Sequence, residues 1–369
     1  MALDAPLDAP AGGIQPGRGG FLRNTKDTPY ITDPDGTLVK SGDRKGEPKR
    51  TAYGAPSGYG KLIENTYNLT KWGERQAMLG IGLNLDLAHE CAQLAAYDRD
   101  SQEFRDGADR IVALAKHEAK AYLSADRGTH AHLLTEDHDE GRDWVARAEA
   151  GEDLGLSREV QQSLIDAWAA MLERDGLEIL VAEAACVDDD WRLAGTLDRI
   201  ARCTKELRFT LAAGQTVIIP AGTVVVLDVK SGKRSIGPGG VVLYWGGYAI
   251  QIAAYAKSAP YDPVAETRGE WPWPIDQTHG LIAHLDVLGA LEGKPACDLI
   301  YVDLVAGREH GGECVAMAKA WEKRKDIFSV GQIADEQLEP STTITSIDGW
   351  TTTLTPQEQH ASEPYEECF

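Results

Sequence analysis

A chain of 369 residues, 43% hydrophobic and 26% charged, has the make-up of a soluble globular protein with one large domain and extensions, or two smaller domains. Its formal net charge of −21 argues against a partner held by overall positive charge, so any nucleic acid would need local basic clusters or bound cations. No apolar run is long enough to span a bilayer and no secretion signal opens the chain, so a cytoplasmic protein with no membrane partner is expected.

The first 20 or so residues are rich in Ala, Gly, Pro and Asp and read as flexible. Tyr30 to Val39 reads as a hairpin about the Asp35-Gly36 turn. Helical patterns dominate from Leu62 to Ala150, with stripes at Leu85, Ala88, Ala92, Ala95 and Ala96 and at Ile111, Leu114, Ala115 and Ala119. Strands follow at Leu177 to Val187 and Trp191 to Ile200, then an inserted hairpin of Arg208 to Leu211 and Thr216 to Ile219. Thr223 to Val229 is an unbroken apolar run, the mark of a central strand covered on both faces. A helix is expected at Val241 to Lys257, strands at Leu281 to Val287 and Leu299 to Val305, and a helix at Glu313 to Asp326. The tail is rich in Thr, Ser, Gln and Glu, with little to form a core. This order predicts an α/β fold, a mixed central sheet flanked by helices, with a helical N-terminal part.

Asp198, Asp228 and Lys230 sit on otherwise apolar strands, where isolated charge is costly to bury. Asp228 and Lys230 are two apart and share a face. Two carboxylates from neighbouring strands suit Mg²⁺ or Mn²⁺, and a lysine beside them suits charge developing on a phosphate. A strand end at the surface is the simpler reading of the Asp-x-Lys triplet alone. Gln251 and Tyr255 share one helix face; they fit phosphate contacts, or equally a core tyrosine with a glutamine at its rim. His132 is a candidate third ligand, whereas His130 points to another helix face. Arg199, Arg202, Lys205 and Arg208, and Lys319, Lys323, Arg324 and Lys325, are basic clusters for phosphate or solvated faces. Trp271-Pro272-Trp273-Pro274 reads as a stacking surface for bases or, more simply, a rigid loop of packed indoles.

Four motifs in order, Gly128-Thr129-x-x-His132, Gly195-x-x-Asp198, Asp228-x-Lys230 and Gln251-x-x-x-Tyr255, resemble the RecB-like branch of the PD-(D/E)XK nucleases. Within it the chain looks most like the exonucleases found beside CRISPR arrays and in phages of actinobacteria. The resemblance covers residues 60 to 305, most firmly 125 to 260. It implies a restriction-endonuclease-like nuclease domain over 61–330, an N-terminal extension over 1–60 and a flexible acidic tail over 331–369. It also implies His132, Asp198 and Asp228 as metal ligands, Lys230 as the catalytic lysine, Gln251 and Tyr255 as substrate-positioning groups and Glu183 as a supporting residue. The expected activity is Mg²⁺- or Mn²⁺-dependent hydrolysis of DNA from single-stranded ends, in phage-type recombination, repair or replication. A structure-specific endonuclease and a non-catalytic DNA-end-binding protein are the alternatives. Leu197 replaces the family's proline, and the inserted hairpin lengthens the gap between the two aspartates. Many relatives hold an iron–sulfur cluster through four cysteines; the 6 cysteines here lack that spacing, so no cluster is expected.

Overall fold

The computed structural model describes residues 20–23, 28–232 and 246–322 apart from 43, 64, 65 and 212, together with short strands at 15–16, 235–236, 242–243, 342–345 and 351–354. The chain divides into two compact units, Met1–Ala318 and Lys319–Phe369.

The first unit is built on a mixed sheet of seven strands. They are β1 (Leu177–Asp188), β2 (Leu193–Cys203), β3 (Val224–Lys230), β4 (Ala259–Asp262), β5 (Thr267–Arg268), β6 (His279–Leu285) and β7 (Cys297–Asp303). Their spatial order is β5-β4-β1-β2-β3-β6-β7. Every neighbouring pair is antiparallel except β3 and β6, where Leu227 lies beside Leu281 in parallel register.

The longer helices are α1 (Tyr67–Leu83), α2 (Leu85–Leu94), α3 (Gln102–Glu118), α4 (Leu123–Asp139), α5 (Arg158–Asp175), α6 (Gly247–Lys257) and α7 (Leu304–Glu322). One face of the sheet packs Val225, Leu227 and Val229 against Ala131 and Leu134 of α4 and Leu164, Trp168 and Met171 of α5. The other packs Val224 and Val226 against Ile252, Ala253, Tyr255 and Ala256 of α6. Each large side chain so buried contributes about 1.5–3 kcal/mol. That double cover explains why the apolar run in β3 shows no alternation, as expected for a central strand. Asp228 shares the α6 face because it continues the Val224, Val226 parity.

Several boundaries differ from the sequence reading. Tyr30–Thr32 pairs with Arg50–Ala52, not with residues after the Asp35-Gly36 turn. The turn exists, with the Gly36 amide donating to the Asp33 carbonyl, but Pro34 at its second position fixes a negative φ. Such a turn splays its flanking strands, and Thr37 and Val39 pair instead with Lys49 and Glu47. In α2 the inward residues are Leu87, Ala88, Cys91 and Leu94, while Leu85 is 77% exposed. In α3 Ile111 and Ala115 are buried, but Leu114 is exposed. Val242–Leu243 forms a small ribbon with Ser235–Ile236, and the helix starts only at Gly247. Gly246 and Gly247 stop helix growth toward Val241. α7 begins at Leu304, ahead of Glu313, because the Asp303 carboxylate caps the amides of Val305 and Ala306. β4 and β5 were not anticipated, since Pro260 disguises an edge segment as a loop.

Phe21, Ile31 and Tyr53 are buried with Val187, Ala194 and Tyr261, so the N-terminal segment shares a core with the sheet. In the second unit Thr342–Thr345 pairs with Thr351–Leu354, a ribbon rich in β-branched residues inside the stretch read as an acidic tail.

Candidate functional site

His132 on α4, Glu183 on β1, Asp198 on β2, Lys230 on β3, and Gln251 and Tyr255 on α6 line one cleft of about 300 Å³. Residues far apart in sequence meet because β1, β2 and β3 are neighbours and α4 and α6 flank them.

The β2/β3 ladder ends at Arg199 and Leu227. Beyond it, Asp198 Oδ2 accepts the Val229 amide at 2.8 Å, so the carboxylate is aimed by a backbone donor that lacks a strand partner. His132 Nδ1 lies 3.6 Å from the same oxygen. Glu183 stands opposite Asp198 in register, between the pairs Ala182 with Arg199 and Ala184 with Leu197. Its φ is +50°, a left-handed conformation that costs about 1–3 kcal/mol in a non-glycine residue. One ligand atom each from His132, Glu183 and Asp198 lie within 4.8 Å of one another.

Asp228 is not one of that trio, although its carboxylate is near enough to Asp198 for the two charges to interact. Its Oδ2 is buried and its partner there is the Lys230 ammonium, which lies against it. Gln251 Nε2 donates weakly to Oδ1 at 3.4 Å. Burial pushes the Asp228 carboxyl up to about 7, assisted by Asp198 and opposed by Lys230. Burial alone would lower Lys230, but Asp228 and Asp198 outweigh it and hold the ammonium above the usual lysine value. Lys230 also sits 4.7 Å above the Tyr248 ring, a cation–π contact. It is therefore a fixed cation, not a base.

The donor set of one imidazole and two carboxylates fits a hard divalent cation, Mn²⁺ or Mg²⁺.

Arg199 supports the trio from behind. It is fully buried and bonds Asp139 Oδ2 at 2.6 Å, the Asp198 carbonyl at 2.7 Å, Thr135 Oγ1 at 3.2 Å and Glu183 Oε1 at 3.4 Å. Trp168 Nε1 donates to the other Asp139 oxygen at 2.7 Å. Arg199 is thus a brace, not a phosphate-facing cation. The rest of its cluster is also committed: Arg202 to Glu178, Lys205 to the Arg174 carbonyl and Arg208 to Glu206. Of the second cluster, Lys319 is exposed on α7, and residues 323–325 lie outside the described residues.

Tyr255 is only 6% exposed and packs in the α6 core, yet its hydroxyl edge reaches the cleft. Gly195 allows this, since a Cβ there would meet Tyr255 Oη and Pro56 Cδ at 3.1 Å. Gly128 is small for a similar reason: a Cβ would sit 2.6 Å from Ser231 Oγ, in the loop after Lys230. His130 faces away from His132 and bonds Gln161 at 3.0 Å. Trp271 and Trp273 pack against the α6 core, with Trp271 Nε1 donating to the Ser258 carbonyl, which matches the packed-indole reading.

Sequence reasoning undervalued Glu183 and missed Asp139, Tyr248 and Arg23. Arg23 lines the cleft from the N-terminal segment, a long-range placement without a local signal. Tyr248 had one, lying three residues before Gln251 on the same helix. No helix among the described residues is long and apolar enough to cross a membrane. No known protein-family model matches the chain, and no curated protein matches it.

Proposed function

We propose that the chain is a metal-dependent deoxyribonuclease of the RecB-like PD-(D/E)XK type, with a restriction-endonuclease-like core. It would act as an exonuclease on single-stranded ends, in the cytoplasm of a bacterial host. The observation that carries this reading is the convergence of His132, Glu183 and Asp198 within 4.8 Å, beside the buried Lys230–Asp228 pair.

His132, Glu183 and Asp198 would hold the ion. When bound, a divalent cation supplies Lewis acidity at the scissile phosphate and acidifies water. Lys230, kept protonated by Asp228 and Asp198, donates hydrogen bonds where negative charge grows on the phosphate. Asp228 keeps that ammonium in place. Gln251 and Tyr255 donate from the α6 side and orient the phosphate. Glu183 and Asp198 repel DNA until a cation offsets their charge, so substrate and metal should bind cooperatively.

The test is digestion of end-labelled single- and double-stranded DNA with Mg²⁺, Mn²⁺, Ca²⁺ or EDTA. Release of short products from single strands with Mg²⁺ or Mn²⁺, and none with EDTA, is expected. Nicking of closed circular DNA would move the assignment to an endonuclease. DNA binding without cleavage in any metal would leave an end-binding protein.

A further inference from the structure

A second cleft, of about 640 Å³, adjoins the first and shares two of its residues, His132 and Lys230. Leu69 and Trp72 of α1 and Tyr248 of α6 supply its large side chains; Ser124, Thr129 and Ser231 supply hydroxyls. Among the described residues no carboxylate lines it, although the chain carries 58 Asp and Glu against 37 Lys and Arg. The metal-ligand cleft, by contrast, carries Glu183 and Asp198. The two therefore divide the chemistry: one suits a cation and a phosphate, the other a flat, weakly polar group beside that phosphate. Trp72 is 43% exposed and Leu69 54%, so α1 presents this face without covering it.

We infer that the second cleft is a nucleobase subsite, which stacks an unpaired base flanking the scissile phosphate on Trp72, with Tyr248 beneath the Lys230 end. This rests on the nuclease reading and extends it to how the base beside the scissile phosphate is held. An internal base pair of a duplex has both faces stacked and cannot offer one to an indole, so away from a duplex end the subsite selects unpaired bases. Aromatic stacking tolerates every base, so cleavage should show little sequence preference.

The experiment measures Ca²⁺-supported binding of two oligonucleotides, an intact single strand and one abasic at its three terminal positions, to wild type, Trp72→Ala and Trp72→Phe. Circular dichroism checks folding of each variant. Trp72→Ala should bind the intact strand about tenfold more weakly, the scale of one lost stacked base, and Trp72→Phe should recover most of that loss. The abasic strand should bind wild type about tenfold more weakly, with no further loss in Trp72→Ala, because both changes delete the same contact. If the two losses multiply, or if Trp72→Ala binds like wild type while wild type digests single strands, the subsite is wrong and the nuclease reading stands. If wild type neither binds nor digests DNA, both fail together.

Discussion

Glu183 is the residue whose geometry says most. A glutamate in a left-handed conformation in mid-strand is an unfavourable way to build a strand, and here it places a carboxylate with His132 and Asp198. Glu183→Gln should lower Mn²⁺ affinity at least tenfold by calorimetry, because one of three donors loses its charge; unchanged affinity would remove Glu183 from the site. Asp228 makes a pH-dependent prediction. Its folded value is pushed up to about 7, against about 3.9 unfolded, so between those values the folded state binds more protons. Without metal, stability should therefore fall as pH rises from about 4 to about 7, by up to about 1.4 kcal/mol per pH unit. Asp228→Asn should flatten that slope in urea unfolding at pH 5 and pH 7 in EDTA, and should abolish cleavage. A variant with the wild-type slope would show that Asp228 is ionised throughout. Lys230 and Tyr255 should fail differently. Lys230→Ala should slow single-turnover cleavage by about 10² to 10³ with little effect on Ca²⁺-supported binding. Tyr255→Phe loses one hydrogen bond of about 0.5–1.5 kcal/mol and keeps its packed ring, so binding should weaken about two- to tenfold. Wild-type behaviour in Tyr255→Phe would leave that side chain a core residue alone.

At the scale of elements, the site depends on how α4 is locked to the sheet. Arg199 of β2 joins Thr135 and Asp139 of α4 to Glu183 of β1 and to the Asp198 carbonyl. Arg199 and Asp139 are both almost fully buried, and removing one partner strands the other's charge. Arg199→Ala should destabilise the protein by about 3–5 kcal/mol in urea unfolding. It should also weaken Mn²⁺ binding, because α4 carries His132 and the brace holds Glu183. A loss of stability with unaltered metal affinity would confine Arg199 to the fold. The same elements explain the two glycines of the motifs: Gly128 lets α4 approach the loop after Lys230, and Gly195 makes room for the Tyr255 hydroxyl.

Across the whole molecule the charge is −21, and among the described residues Arg199, Arg202 and Arg208 are each paired with a carboxylate. DNA binding should therefore depend on the divalent cation. Replacing Ca²⁺ with EDTA should reduce single-strand affinity at least tenfold in fluorescence anisotropy at fixed ionic strength. Undiminished binding in EDTA would mean that protein cations alone hold the phosphates.

The sequence by itself determined the mixed α/β sheet, the buried central strand and the motif residues His132, Asp198, Lys230, Gln251 and Tyr255 that line one cleft. The strands were legible because hydrophobic period and length mark them locally, and Asp198 and Lys230 because charge on an apolar strand stands out; His132, Gln251 and Tyr255 were singled out only by the resemblance of the four motifs in order. Only the tertiary structure decided that Glu183 joins His132 and Asp198 while Asp228 pairs with Lys230. The register of β1 on β2 and the backbone angle at Glu183 set that choice, and neither leaves a trace in residue spacing. Tertiary contacts likewise turned Arg199 from a phosphate candidate into a buried brace. Whether a side chain meets solvent or a partner carboxylate depends on elements sixty residues away, as Arg199 and Asp139 are, and local pattern carries no record of that distance.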